Sequence, residues 1–176
     1  MPANAAQSFF NEQGYWVVED LLNAAELATA RSEIKRLHQL AAQLHRDAAP
    51  AASNFQFEPF AGKKEEAGLP VLRKIENTGA YSSFYADLAA HPALIKSVKN
   101  LLGPDLLLFR STLMLKPALH GSAHAIHQDS AYWPMHPPTL LTVSIALTDA
   151  TPANGCIRVI PASHTWGLQD WGAITR

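Results

Sequence analysis

Residues 127–129 read His-Gln-Asp. In extended chain, side chains alternate between faces, so residues i and i+2 point the same way. An imidazole nitrogen of His127 and a carboxylate oxygen of Asp129 are therefore expected side by side, with Gln128 turned away. Such a pair can hold a divalent metal, form a hydrogen-bonded surface couple, or arise by chance. The triplet alone is too short to choose between these, and its surroundings have to decide.

The surroundings fall into a helical first half and a strand-like second half. "GYWVVEDLL" (14–22) is a short β-rich run. Residues 23–45 read as a helix: Asn23 and Glu26 have the spacing of a capping pair, and Leu27, Ile34, Leu37, Ala41 and Leu44 recur at helical intervals. His38 and His45 fall in this helix as ordinary members. Residues 46–70 show no sustained period and are expected to form a long loop, either a lid or a surface excursion. "VLRKIENTG" (71–79) reads as a strand entering a turn, and two helical segments follow. The second of these opens on Pro92, just after His91, and closes on Gly103. Beyond it, residues 105–117 alternate, with Leu107, Phe109, Leu113 and Leu115 opposed to Arg110, Thr112, Met114 and Lys116. Residues 140–149 alternate more cleanly, Leu141, Val143, Ile145 and Leu147 against Thr142, Ser144, Ala146 and Thr148. "TPANG" is a turn and "CIRVI" a further strand, stopped by Pro161. Helices followed by short strands predict an α+β fold whose β-half is a sandwich or jelly roll, without internal repeats.

Composition limits the partners. Of 176 residues, 48% are hydrophobic and 16% charged, enough for one domain with a core. Lys plus Arg number 14 against 15 Asp plus Glu, for a net charge of −1, and no basic stripe stands out, so no nucleic-acid partner is expected. No stretch is long and apolar enough to span a bilayer, and no signal peptide is visible at the N-terminus, so no membrane partner is expected. The single Cys156 rules out an internal disulfide. A cytoplasmic protein is the expectation.

If 124–129 enters a jelly roll as a strand, His127 and Asp129 supply two members of a facial triad of two histidines and one carboxylate. That triad, with open positions, marks non-haem Fe(II) oxygenases. "FFNEQGYWVVEDLLNAAEL", "STLMLKPALHGSAHAIHQD", "IHQDSAYWP" and "DATPANGCIRVIPASHTWG" follow one another in an order that resembles the phytanoyl-CoA dioxygenase family of Fe(II)- and 2-oxoglutarate-dependent oxygenases. The resemblance runs from Phe9 to Gly167. It implies N-terminal helices packed on a double-stranded β-helix (jelly roll) and a single domain over 1–176. It also implies Fe(II) as cofactor, 2-oxoglutarate as co-substrate with ascorbate assisting, and O2 and a small organic molecule as further substrates. His127 and Asp129 fall on the family's first two iron ligands. Lys74 matches a lysine that contacts 2-oxoglutarate, and Thr112 and Ile145 match positions lining the same co-substrate. Without the resemblance, Lys74 reads as a solvated strand lysine and Ile145 as core packing. Tyr132 and Trp133 are pocket wall or core on equal terms. Related halogenases carry a small residue where Asp129 stands, so its carboxylate implies hydroxylation.

The family's third iron ligand is a later histidine, followed by an arginine that grips the far carboxylate of 2-oxoglutarate. Neither is visible here. His164, in "PASHTWG", matches a histidine that holds a loop by hydrogen bonding, and Arg158 an ordinary strand position. His120, His124 and His136 flank the pair as loop or outward-facing residues, substrate contact by His136 being the minor alternative. The jelly roll is thus expected to be incomplete at its C-terminal side, with an open sheet edge prone to self-association. Two classes stay open: the first portion of a dioxygenase whose third ligand is missing, and a non-catalytic binding or interaction protein that keeps the shell. A cupin-like isomerase or lyase is a weaker third.

Overall fold

The computed structural model describes residues 3–59, 65–66, 69–133, 135–137 and 139–169. The chain forms two compact units. The first comprises Met1–Glu19, Lys96–Leu106 and His124–Arg176; the second comprises Asp20–Ile95 and Leu107–Ala123.

The second unit is a helix laid against a small antiparallel sheet. Its long helix α2 (Ala24–Arg46) starts where the sequence predicts. The Asn23 side chain accepts from the amides of Ala25 and Glu26, and the Glu26 carboxylate accepts from the Asn23 amide at 2.8 Å, completing a capping box. Ala30, Leu37, Ala41 and Ala42 are its buried residues, while Leu27, Ile34 and Leu44 of the expected stripe are half-buried. The helix end is tied to the sheet by His45, whose Nε2 lies 3.1 Å from the Phe55 carbonyl and whose ring lies 4.2 Å from that of Phe57. The sheet has the order β1–β4–β5, with β1 at Phe55–Phe57, β4 at Leu72–Glu76 and β5 at Thr112–Met114. Phe55 pairs with Ile75 and Ile75 with Leu113, and these three side chains form the buried face. Between β1 and β4, β2 (Glu65–Glu66) pairs with β3 (Leu69–Pro70). The expected 46–70 loop is therefore partly structured: a 3-10 turn at Pro50–Asn54 leads straight into β1. Its residues 60–64 and 67–68, where a lid would fall, lie outside the described residues.

After β4 the chain turns through Asn77, at φ +51°, into a 3-10 turn and then α3 (Ser83–Leu88). α3 packs on α2 through Tyr85, whose hydroxyl donates to the Ala30 carbonyl at 2.9 Å. Burial pushes the Tyr85 phenol up to about 12. α4 (Pro92–Leu102) begins on Pro92 and is followed by Gly103 at φ +100°, as the sequence reading expects.

The first unit opens with α1 (Ala3–Gln13), a helix that the sequence reading does not anticipate. Gln7 donates from α1 to the Leu101 carbonyl of α4. The "GYWVVEDLL" run is not a strand. Phe9 of α1 instead meets Tyr15 and Trp16 edge-on at 5.4 and 5.6 Å, and this contact shapes the segment. Among the described residues no ladder includes 105–111, 124–129, 140–149 or 156–160. The jelly-roll expectation is thus met here only by a mixed helix-and-sheet chain with a small antiparallel sheet. Alternation survives in part without pairing: in 140–149 the even-numbered side chains Thr142, Ser144, Ala146 and Thr148 are exposed and Leu141, Ile145 and Leu147 are half-buried, but Val143, of the expected inward set, is 44% exposed. Period-two patterning sets which side chains face inward. A ladder also requires a neighbouring strand in register.

Candidate metal centre and co-substrate face

His127 and Asp129 come together, although not from a paired strand. Gln128 has extended backbone (φ −108°, ψ 127°), and the chain then enters a 3-10 turn at Asp129–Ala131. That single extended residue is enough to put its two neighbours on one side: His127 Nε2 lies 3.3 Å from Asp129 Oδ1. The other ring nitrogen, Nδ1, is 2.7 Å from the Ala125 carbonyl. A carbonyl only accepts, so Nδ1 carries a proton, and Nε2 is the ring nitrogen left to face a carboxylate oxygen. Two facing lone pairs attract only with a cation between them or a second proton on the ring. Donors at about 2.1 Å from a first-row metal, on adjacent octahedral positions, sit roughly 3.0 Å apart. The observed spacing is within a few tenths of an ångström of that, so the donor set fits two adjacent ligand positions.

Two further residues fix the pair. The Thr142 hydroxyl donates to Asp129 Oδ2, leaving Oδ1 for the centre. Gln128, facing away as expected, donates from Nε2 to the Gly167 carbonyl at 3.0 Å and accepts at Oε1 from the Gln169 amide at 2.8 Å. Its amide thereby imitates a strand partner for residues 167–169. Outer contacts of this kind orient metal ligands and set their basicity. Thr142 is missed by sequence reading because it is 13 residues from Asp129 and looks like any exposed strand threonine. Tyr132 is exposed and stands edge-on to the His127 ring at 5.7 Å, so it belongs to the site's rim and not to the core; Trp133 is half-buried. Ile145 is half-buried. Among the described residues no group of three or more His, Cys, Asp or Glu side chains is arranged to hold a metal.

His164 behaves as the loop histidine the resemblance implies. Its Nε2 donates to the Asn11 carbonyl at 3.0 Å, and the Ala162 amide donates to Gln13 at 2.8 Å. Gly14, at φ +78°, passes so close that a Cβ there would lie 2.3 Å from His164 Nδ1. His124, His136 and Arg158 are exposed and His120 is half-buried.

Lys74 and Thr112 belong to the second unit, where register places them on one face of the sheet. Lys74 pairs with Met114 and Glu76 with Thr112, opposite the Phe55–Ile75–Leu113 face. Lys74 is not the solvated strand lysine of the simplest reading: its Nζ donates to Glu76 Oε1 at 2.7 Å with 22% of the side chain exposed. Arg110 reaches the same oxygen at 2.8 Å and donates from Nε to Thr112 Oγ1 at 3.1 Å. The Lys74 ammonium first, and then Arg110, hold the Glu76 carboxyl below its ordinary value. Also in this unit, the buried Glu58 carboxylate accepts from the Ser122 hydroxyl and, at 3.2 Å, from the Ser122 amide, anchoring the chain five residues before His127.

A mixed helix-and-sheet chain that presents one imidazole and one carboxylate at ligand spacing is a candidate mononuclear metal protein. Residues 10–175 match the family described as Phytanoyl-CoA dioxygenase (PhyH), and the chain belongs to that family. It is 26% identical over 164 residues to a probable alpha-ketoglutarate-dependent hypophosphite dioxygenase of Stutzerimonas stutzeri, covering 93% of this chain and 54% of the relative. To the ectoine dioxygenase of Sphingopyxis alaskensis it is 32% identical over 93% of this chain and 50% of the relative. To the peroxisomal phytanoyl-CoA dioxygenase of Homo sapiens it is 23% identical over 93% and 48%. The chain spans about half the length of the curated relatives it matches. No solved structure gives a significant match.

Proposed function

We propose that the chain is the N-terminal and first jelly-roll portion of a dioxygenase that uses Fe(II), 2-oxoglutarate and O2 to hydroxylate a small organic molecule. The 3.3 Å approach of His127 Nε2 to Asp129 Oδ1 carries the reading, supported by membership of the family. In this proposal His127 and Asp129 hold the iron, and Lys74, Thr112 and Ile145 contact 2-oxoglutarate. Bound iron supplies the redox chemistry that couples O2 to decarboxylation of the keto acid. The chain's own part is geometric. Ala125 fixes the imidazole tautomer, Thr142 occupies the second carboxylate oxygen, and Gln128 sets the direction of the turn.

The third iron ligand and the arginine for the far carboxylate are proposed to come from residues outside this sequence. The half-length coverage of the relatives supports that, as do Ile126, Ile157 and Val159, apolar side chains on strand-like segments of the first unit that are at least half exposed. The carboxylate of Asp129 favours hydroxylation over halogenation. Relatives named for hypophosphite, ectoine and phytanoyl-CoA share the family, so the substrate is proposed only as a small molecule. Among the described residues no helix is long and apolar enough to cross a membrane, and a cytoplasmic location is part of the proposal.

The test is succinate formed per 2-oxoglutarate consumed, with Fe(II) and ascorbate, in the full reading frame that carries these residues. Equimolar turnover, abolished in H127A, is the expected result. An intact frame that neither turns over nor binds Mn(II) would leave a non-catalytic binding protein instead.

A further inference from the structure

The polar face of the second unit's sheet carries two cations and one carboxylate within reach of each other. Lys74 Nζ and Arg110 Nη2 both bond Glu76 Oε1, at 2.7 and 2.8 Å, and Gln56 Nε2 approaches the same atom at 3.2 Å. Three donors thus converge on one carboxylate oxygen. The guanidinium is also oriented, because its Nε is held by the Thr112 hydroxyl. The three charged side chains are 22–34% exposed, so they are partly desolvated yet open to a solute.

Resting on the proposed role of Lys74, we propose that Arg110 is a second co-substrate-binding residue. In this arrangement Glu76 is an internal placeholder that occupies the two cations until a carboxylate of 2-oxoglutarate displaces it. The placeholder keeps Lys74 and Arg110 pointing at a carboxylate-sized position in the ligand-free chain, so their side-chain entropy is lost before binding and not during it. It also competes with the ligand, so removing its charge should tighten binding. A purely structural ion network predicts the opposite: substitution at Glu76 would loosen the sheet and weaken everything that depends on it.

The experiment is calorimetric titration of the full reading frame that carries these residues with 2-oxoglutarate at low salt, with and without Mn(II). R110A is expected to weaken binding by about tenfold, as for loss of a charge-assisted contact, with partial recovery in R110K. E76Q is expected to tighten it severalfold, while E12Q, an exposed carboxylate of the first unit, leaves it unchanged. R110Q replaces R110A if the alanine variant does not melt as a folded protein. Wild-type affinity in R110A and R110Q alongside a loss in K74A overturns the role of Arg110 and leaves the dioxygenase reading intact. E76Q binding no tighter than wild type overturns the placeholder. A wild-type full frame that binds no 2-oxoglutarate under either condition overturns both the inference and the reading beneath it.

Discussion

At the scale of single residues, the candidate centre depends on protons as much as on positions. The Ala125 carbonyl holds a proton on His127 Nδ1 and leaves Nε2 facing Asp129, and the Thr142 hydroxyl takes one Asp129 oxygen and leaves the other. Substituting either proposed ligand is expected to lower Mn(II) affinity by about 100-fold, whereas T142A, which removes only the orienting hydroxyl, should cost about tenfold. Water-proton relaxation on titration with Mn(II) reads both, and equal losses would place Thr142 among the ligands. Glu76 gives a stability signature. Its carboxyl is held below the ordinary 4.5 by Lys74 and then Arg110, so the folded state binds its proton less readily than the unfolded state. The contribution is complete above that ordinary value and is lost as pH falls through the lowered one. Chemical denaturation between pH 6 and 3 should show a shallower acid loss in E76Q than in wild type. At this scale the sequence shows the His-x-Asp pair plainly, because spacing alone determines which way two neighbours of an extended residue point. Thr142 and Arg110 stay hidden, since each acquires its role from a partner 13 or 34 residues away.

At the scale of elements, legibility follows how local the causes are. α2 is announced by Asn23 and Glu26, α4 by Pro92 and Gly103, and β4 by the run from Val71 to Glu76. These signals act within a few residues and survive any tertiary context. α1 is closed by Gly14, at φ +78°, and is held by contacts with α4 and the 162–164 turn, which sequence periodicity does not report. The β-rich look of residues 14–18 gives way to aromatic packing on Phe9. In 140–149 the alternation is right about facing at every position of the two sets but Val143, which is exposed, and is silent about pairing. The junction at Gly14 lends itself to a direct check. G14A must accept a positive φ and displace the His164 ring, so it is expected to lose about 2 kcal/mol or more. Thermal melts of G14A against G14A/H164A separate the two costs, since removing the ring should restore only the steric part.

At the scale of the whole molecule, the two units differ in how their apolar side chains are covered. The second closes around Phe55, Leu37, Leu72 and Ile75, all nearly inaccessible. L37A is expected to destabilise it by about 3 kcal/mol, the usual range for an aliphatic side chain deleted from a packed core. In the first unit, Ile126, Tyr132, Ile157, Val159 and Leu168 are all more than half exposed, and the second unit adds Leu107, Leu108 and Leu119 outside its core. Apolar surface of this kind favours association. Sedimentation of the 176-residue chain should therefore shift upward with concentration, and a constant monomer across the micromolar range would contradict it.

The latch between His164 and Asn11 joins residues 153 apart in the chain, and the first unit as a whole is assembled from three separated stretches. During synthesis its opening helix leaves the ribosome long before the turn that secures it exists. The second unit closes around residues 20–123 and has all its strands well before then. Nascent chains halted once Ala123 has cleared the ribosome but before His164 has should thus already protect α2 from proteolysis while leaving α1 open to cleavage, an order of maturation set by how far apart along the polypeptide each contact lies.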